Sequence, residues 1–391
     1  MKIDLITLQA VNNYGSVLQA FATQEFFRQH DCDVRIINYA RKDLYDDSRL
    51  WPSVRNSLRG SILKLPLRIA DAVLRHFKRK KTYGRFRNEY LNITKDKQYI
   101  AAKDFEGYES DADAFCTGSD QVWNSFWNRG ILPPFYLSFV PEGSYKFAFS
   151  ASFGKTEISP EEVQETQKYI DDYRHISVRE DSAVKILNEQ YNYHRAVHIQ
   201  DPTLCIDPET WRKYAKHAIR GGVQDDYILI YQIYGFKDKE SRKNFYDYAR
   251  KLSEKTGLRI LKYRLSYKEI LKAVFGFQLR KIILMPDVFR FISLIDNARY
   301  VLTDSFHGTA FSLNLNTEPI CIYPQRFSTR IESILRLTKT LHRHVESYDD
   351  FDILNRPVNF DEVNQILNAE RKKASDWLEM ILSEIREHKS H

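Results

Sequence analysis

Cysteine is scarce. Cys32, Cys116, Cys205 and Cys321 lie far apart in the chain, which excludes a Cys-x-x-Cys metal or redox motif. Three of them follow apolar neighbours, Phe115, Leu204 and Ile320, and read as reduced, buried thiols of a cytoplasmic protein. Long apolar runs are also missing: nowhere do about 18 apolar residues follow one another, so no membrane-spanning helix is expected. The opening segment, Met1 to Leu8, reads as a short strand rather than a signal peptide, because it carries no cleavage site. The first turn holds one glycine, Gly15, instead of Gly-x-Gly-x-x-Gly, so dinucleotide binding is unsupported. Neither a zinc-finger spacing, an RNA-binding signature nor a cluster of metal-ligand residues occurs. Nucleic acid and a metal cofactor are therefore not expected.

Aromatic residues are abundant, with 24 Tyr and 24 Phe among 391 residues. Such a chain can fill sizeable cores, and its length suits two domains. The net charge of +7 fits anionic partners without choosing among small substrates, a membrane face and nucleic acid.

Strand-like and helix-like segments alternate from Ile3 onward. Ile3 to Leu8, Val34 to Tyr39, Ala114 to Thr117, Lys146 to Ser150, His175 to Val178 and Val197 to Gln200 read as strands. Ser16 to Gln29, Pro160 to Tyr173 and Asp181 to Gln190 read as helices between them. This alternation marks a doubly wound parallel sheet. Residues 1–205 form the first expected domain. A polar stretch at Arg220 to Asp226 follows, and the architecture repeats over 225–345 with strands at Tyr227 to Ile233, Arg259 to Tyr263, Tyr300 to Thr303 and Pro319 to Tyr323. Residues 346–391 form a helical extension, whose helix Asp361 to Arg386 is expected to pack back across the domain junction. Residues from about 50 to 90 break the rhythm with many Lys and Arg, a single acid, Asp71, between Arg55 and Arg87, and interleaved apolar residues. They read as a basic amphipathic insertion.

Ligands of open α/β sheets bind beyond the carboxyl ends of the strands, and four motifs fall there. Thr303 to Thr309 places Ser305, His307, Gly308 and Thr309 at a helix start, which suits an anion beside a proton donor. A capped helix with a hydrogen-bonded histidine would look the same. In Thr117 to Asn124, Asp120 and Gln121 suit sugar hydroxyls and Trp123 suits a sugar face; a polar turn with a core tryptophan is the other reading. Asn12-Asn13-Tyr14-Gly15 sits at the first turn, where an asparagine helix cap is the plainer account. Arg179, in Ser177 to Asp181, can fork onto a carboxylate or phosphate, or pair with Glu180 or another nearby acid.

Taken in order, Asn13-Tyr14-Gly15 with Leu18-Gln19-Ala20, Gly118 to Asn124, Ala151 to Gly154, Ser177 to Glu180, Asp201 to Leu204, and Asp304 to Thr309 resemble the polysaccharide pyruvyl transferase family, from about residue 3 to about residue 345. The resemblance implies an α/β, GT-B-like fold, in which two Rossmann-like domains face a cleft. It also implies phosphoenolpyruvate as donor, needing no further cofactor. The family's histidine falls on His307 and its arginine on Arg179. Beside these, Ser305, Gly308, Thr309 and, more weakly, Arg330 are expected to hold the donor's anions. Asn13, Tyr14, Asp120, Gln121 and Trp123 are expected on the acceptor side. Another branch of the family has Gly-Asn-x-Gly-Asp at the first turn, so its acceptor details do not carry over to Asn12 to Gly15.

The chemistry suits these residue types. Protonating the methylene of phosphoenolpyruvate leaves an oxocarbenium-like centre, which one sugar hydroxyl attacks as phosphate departs; a second hydroxyl closes the ketal. Histidine is the natural acid near neutral pH. The acceptor is expected to be a sugar or a lipid-linked oligosaccharide of surface polysaccharide synthesis. The basic insertion, residues 55–87, either packs on its domain or docks at the inner face of the membrane. A GT-B glycosyltransferase using a nucleotide sugar is the alternative. A non-catalytic sugar-binding protein is a further rival, against which intact His307 and Arg179 argue.

Overall fold

The computed structural model describes residues 1–47, 69, 72–73, 76–216, 226–234, 236–262, 287–323 and 328–389. It divides into two compact units, Met1–Cys205 with Glu370–His391, and Ile206–Ala369.

The first unit is built on six parallel strands: β1 Lys2–Ile6, β2 Asp33–Ile36, β3 Ala114–Thr117, β4 Lys146–Ala151, β5 His175–Val178 and β6 Val197–His198. Their order is β2-β1-β3-β4-β5-β6. The direction of winding therefore reverses at β1, the position where such sheets leave a crevice beyond their strand ends. The central strands are buried along their length, which is why their sequences are nearly continuous apolar runs.

Helix α1, Tyr14–Arg28, follows β1. Asn13 caps it, its Oδ1 accepting from the Gly15 amide at 2.8 Å. The helix is covered on most sides: Tyr83 meets Tyr14, and Phe86 and Tyr90 meet Phe21. Those partners lie in residues 76–90, a helical stretch with a π-helical turn at Lys80–Gly84 that runs into the helix Arg85–Tyr90. The remainder of the expected basic insertion, residues 48–68, 70–71 and 74–75, lies outside the described residues.

The second unit holds four parallel strands, β7 Tyr227–Tyr231, β8 Arg259–Lys262, β9 Tyr300–Thr303 and β10 Glu318–Cys321, in the order β10-β9-β7-β8. The helix Val288–Asp296 starts at Asp287, whose Oδ1 accepts from the Arg290 amide at 2.9 Å. Arg343 is buried and works as a staple: Nε donates to the Pro319 carbonyl, and Nη1 to the Ile353 and Arg356 carbonyls. It thereby ties residues 343–356 to β10.

Both edges of the second unit differ from the sequence reading. Residues 206–216 already belong to it, because Trp211 of the helix Pro208–Lys216 packs on Phe311 at 5.1 Å and Arg212 bonds Asp296 and the Leu315 carbonyl. Residues 346–391 are not a separate extension. The helix Phe360–Lys389 begins in the second unit, and from Glu370 its residues group with the first. There Trp377 lies against Phe147 and Phe149 of β4, and Glu384 accepts from Tyr145 at 2.9 Å and lies 2.7 Å from the His175 ring nitrogen. No described helix is long and apolar enough to cross a membrane.

Candidate active site

The carboxyl edge of the first sheet collects polar side chains from four strand ends and from α1. Arg179, just past β5, is at their centre with its side chain fully buried. Nη1 donates to Asp201 Oδ2 at 2.6 Å, Nη2 to Asp120 Oδ1 at 3.2 Å and Nε to Glu180 Oε1 at 3.1 Å. Hydroxyls fill further lone pairs of the carboxylates. Ser16 donates to Asp120 Oδ2, Ser152 to Glu180 Oε1 and Thr203 to Asp201 Oδ1, each at 2.7 Å. Ser119 donates to Asp201 Oδ2 at 3.3 Å. Burial by itself would lower the guanidinium pKa; Glu180, Asp201 and Asp120 outweigh it and hold the pKa above its ordinary value.

The backbone around this cluster is bent to fit. Asp120 has φ 70° and Ser150 φ 52°, left-handed conformations that cost a non-glycine residue about 1–3 kcal/mol each. Gly154 has φ 59°, and a Cβ there would lie 2.6 Å from Gln121 Oε1 and 2.7 Å from Asn124 Nδ2. The motif Ala151 to Gly154 thus needs its glycine to lie against the motif Gly118 to Asn124.

The acceptor candidates divide. Ser16 joins the first turn of α1, where Asn13 is the cap, to Asp120. Gln121 is buried, with Oε1 accepting from Asn124 at 2.8 Å. Tyr14 is buried against Tyr83. Trp123 is corrected: it is 1% exposed, stacks on Tyr136 at 5.6 Å, meets Phe153 and Tyr173 edge-on or tilted, and donates its indole N–H to the Phe135 carbonyl. Its faces are taken by the core and none is offered to a sugar. Arg179 likewise commits its fork to its own chain; the pairing with Glu180 is present, with two further acids beside it.

In the second unit, β9 leads into the helix Phe306–Asn314. Ser305 is the cap, its Oγ accepting from the Gly308 amide at 3.2 Å. The Thr309 amide and hydroxyl both donate to the Ser305 carbonyl, at 3.0 and 3.1 Å. Those two amides, expected to meet an anion, therefore close the helix instead. Gly308 is needed for close packing, since a Cβ would come within 2.5 Å of Thr303 Oγ1 and 2.9 Å of Tyr231. His307 is in the same first turn, 6% exposed, with its ring 5.1 Å from that of Phe306.

Asp304 was passed over in the sequence and is central here. Its Oδ1 accepts from the Ile233 amide at 2.7 Å and its Oδ2 from the Tyr234 amide at 3.1 Å. Tyr234 in turn accepts from Arg330 Nη2 at 2.7 Å. Arg330 is thus linked, through the turn after β7, to the segment carrying Ser305 and His307. Burial pushes the Asp304 carboxyl up to about 7, against the pull of those backbone N–H donors. Asp201, Ser16 and Tyr234 were also missed as site residues. Asp201 and Asp304 stand inside quoted motifs just beyond strands, and that position was the available signal. Among the described residues no group of three His, Cys, Asp or Glu side chains could hold a metal ion.

Two parallel-sheet α/β units define a protein of the GT-B-like class. Solved structures share that fold. A provisionally named UDP-N-acetylglucosamine 2-epimerase from Listeria monocytogenes is 11% identical, over 99% of this chain and 97% of that one, with a TM-score of 0.56. A UDP-N-acetylglucosamine 2-epimerase from Rickettsia bellii is 11% identical over the same shares, with a TM-score of 0.51. At that identity the likeness speaks for the fold alone. No curated protein sequence matches the chain. The family model of polysaccharide pyruvyl transferases matches residues 13–326, and this chain belongs to that family.

Arg179→Ala would leave three buried carboxylates without their cation, and should cost about 3–5 kcal/mol. The measurement is the urea unfolding midpoint; a midpoint equal to wild type would refute the cluster's structural role. Asp304 supplies a pH test. Its ordinary pKa is 3.8 and its folded value about 7, so folding favours the protonated form between them. The stability this group contributes is whole below pH 3.8 and is lost as pH rises through about 7. Asp304→Asn should flatten the dependence of the melting midpoint on pH across that window, and an unchanged slope would contradict the assignment.

Proposed function

We propose that this chain transfers pyruvate from phosphoenolpyruvate to two hydroxyls of one sugar, closing a cyclic ketal in surface polysaccharide synthesis. The observation that carries the reading is the turn after β9. It holds a nearly buried histidine, His307, at the start of a helix capped by Ser305, on a segment whose Asp304 is linked through Tyr234 to Arg330. A hydroxyl, an arginine and an imidazole are groups that a small enol phosphate calls for.

In this reading protonated His307 gives its proton to the methylene carbon. The carbon bearing phosphate becomes electron-poor, and a sugar hydroxyl attacks it. The bond to phosphate breaks and its electrons leave with the phosphate oxygen. The second hydroxyl of the same sugar then forms the second C–O bond, and the hydroxyl protons pass to His307 and to the released phosphate. A positioned general acid contributes about 10²–10⁴-fold in rate. Arg330 and Ser305 are the donor's anion contacts. A nucleotide-sugar glycosyltransferase is the second reading, kept because the GT-B-like fold is shared with epimerases named for a UDP-sugar.

The same proposal sets the enzyme in the cytoplasm, at the inner membrane face when the acceptor is lipid-linked, with residues 55–87 as the contact. Phe77, 57% exposed next to Lys78, Arg79, Lys80 and Lys81, suits an anionic lipid surface.

Phosphoenolpyruvate should raise the melting midpoint and a nucleoside diphosphate should not; the opposite pattern favours the glycosyltransferase. With a panel of sugar acceptors, mass spectrometry should find the pyruvate ketal. His307→Ala should fold normally and lose turnover, and near-normal phosphate release from that variant would remove the acid role. Neutralising Lys78, Lys80 and Lys81 should reduce sedimentation with anionic liposomes, by about 1 kcal/mol of binding for each lysine. Unchanged sedimentation would remove the membrane contact.

A further inference from the structure

Beyond the carboxyl ends of β1 and β2, the first unit opens a cavity of about 550 Å³. Gln9 lies just past β1 and Asn38 just past β2; Arg87 and Asn88 come from the helix Arg85–Tyr90, and Lys95 and Gln98 from the loop after it. The volume is within the ~300–1,000 Å³ of small-molecule sites. Beside apolar Leu44, Leu91 and Ile93, its described lining carries four carboxamides, two cations and no carboxylate. A carboxamide both donates and accepts, as neighbouring hydroxyls on a sugar ring require.

Arg87 is the telling residue. Burial pulls its guanidinium down to about 10, with Tyr83 a small offset. Arg179, more deeply buried still, goes the other way because three carboxylates meet it. Arg87 Nη1 donates to neutral oxygens, Asn12 Oδ1 at 3.1 Å and the Gln9 carbonyl at 3.5 Å. No carboxylate among the described residues is paired with it. A cation desolvated at a cavity wall without an anion is costly unless a ligand supplies one. Gln9 is fixed in advance, its Nε2 donating to the Ile37 and Tyr39 carbonyls at 3.0 and 2.9 Å, so that it meets a hydroxyl through Oε1 as an acceptor only.

We propose that this cavity is a subsite for a sugar bearing an acidic group, phosphate or carboxylate, with Arg87 and Lys95 on the acid and Gln9, Asn38, Asn88 and Gln98 on the hydroxyls. Taking that sugar as the pyruvate acceptor rests on the function proposed above; the binding itself does not.

The test is calorimetric titration of the full chain with glucose 1-phosphate, glucuronate, methyl glucoside and inorganic phosphate. Glucose 1-phosphate or glucuronate should bind at least about tenfold more tightly than methyl glucoside, the gain of one charge-assisted contact, and whichever is preferred names the acid. Arg87→Gln should abolish that preference. Lys95→Gln, at an exposed position, should reduce it, and carries the test if the Arg87 variant fails to fold. Absence of binding by both acidic sugars overturns the proposal. So does wild-type affinity in the folded variants, or inorganic phosphate binding as tightly as the sugar phosphate. Acidic sugars that bind as expected yet take no pyruvate from phosphoenolpyruvate, alone or within a longer acceptor, would sink the proposed function and leave the subsite standing. Ketal formation on neutral sugars, with no preference for acidic ones, would keep the proposed function and refute the acidic sugar as its acceptor.

Discussion

The guanidinium of Arg179 is the contact on which the first unit's carboxyl edge depends. Four strands end and the first helix begins near it, and every one contributes a carboxylate or a hydroxyl to the same buried cluster. Arginine suits the place because its planar fork offers N–H donors on three separate nitrogens in fixed directions; a lysine would gather its three donors on one atom and could not span acids spaced around that fork. Such a cluster is held by geometry more than by net Coulomb gain, since desolvating several charges offsets much of their attraction. The left-handed backbone at Asp120 and Ser150 is tolerated because this network fixes what would otherwise relax.

The second unit joins its strand ends with the opposite charge. The Asp304 carboxylate gathers two backbone N–H groups and so fixes the turn that presents Tyr234 to Arg330. Neutral donors compensate a buried carboxylate less well than a cation does, and this is why burial moves Asp304 into the neutral range. One unit thus has a cation among acids and the other an acid among amides, and both arrangements order loops at the carboxyl edge of a parallel sheet.

Much of the fold was legible in the sequence, for a physical reason. Parallel strands buried on both faces must be short apolar runs, and Ala114–Thr117, His175–Val178 and Tyr300–Thr303 are strands to the residue. The helix expected over Pro160 to Tyr173 is there as Pro160–Asp171, behind its Ser159 cap. The helix start expected at the Ser305 motif is there, at Phe306, and the glycine inside its first turn serves close packing. Site roles were harder to read. Trp123 beside polar residues suggests a sugar platform, yet its stacking partner Tyr136 is 13 positions away and Tyr173 is 50. Two of Arg179's acids, Asp120 and Asp201, are 59 and 22 positions distant. The cavity draws on residues from Gln9 to Gln98, and no local pattern records it.

The division of the chain has a consequence for biosynthesis. The second unit is an insertion within the first, whose closing segment begins at Glu370. The sheet that the ribosome releases first therefore waits, with the β4 aromatics Phe147 and Phe149 packed on Phe26 and Phe27 of α1 but still lacking Trp377, while all of the second unit is made. Nascent chains should present that half-covered aromatic face to chaperones long after the strands themselves have paired.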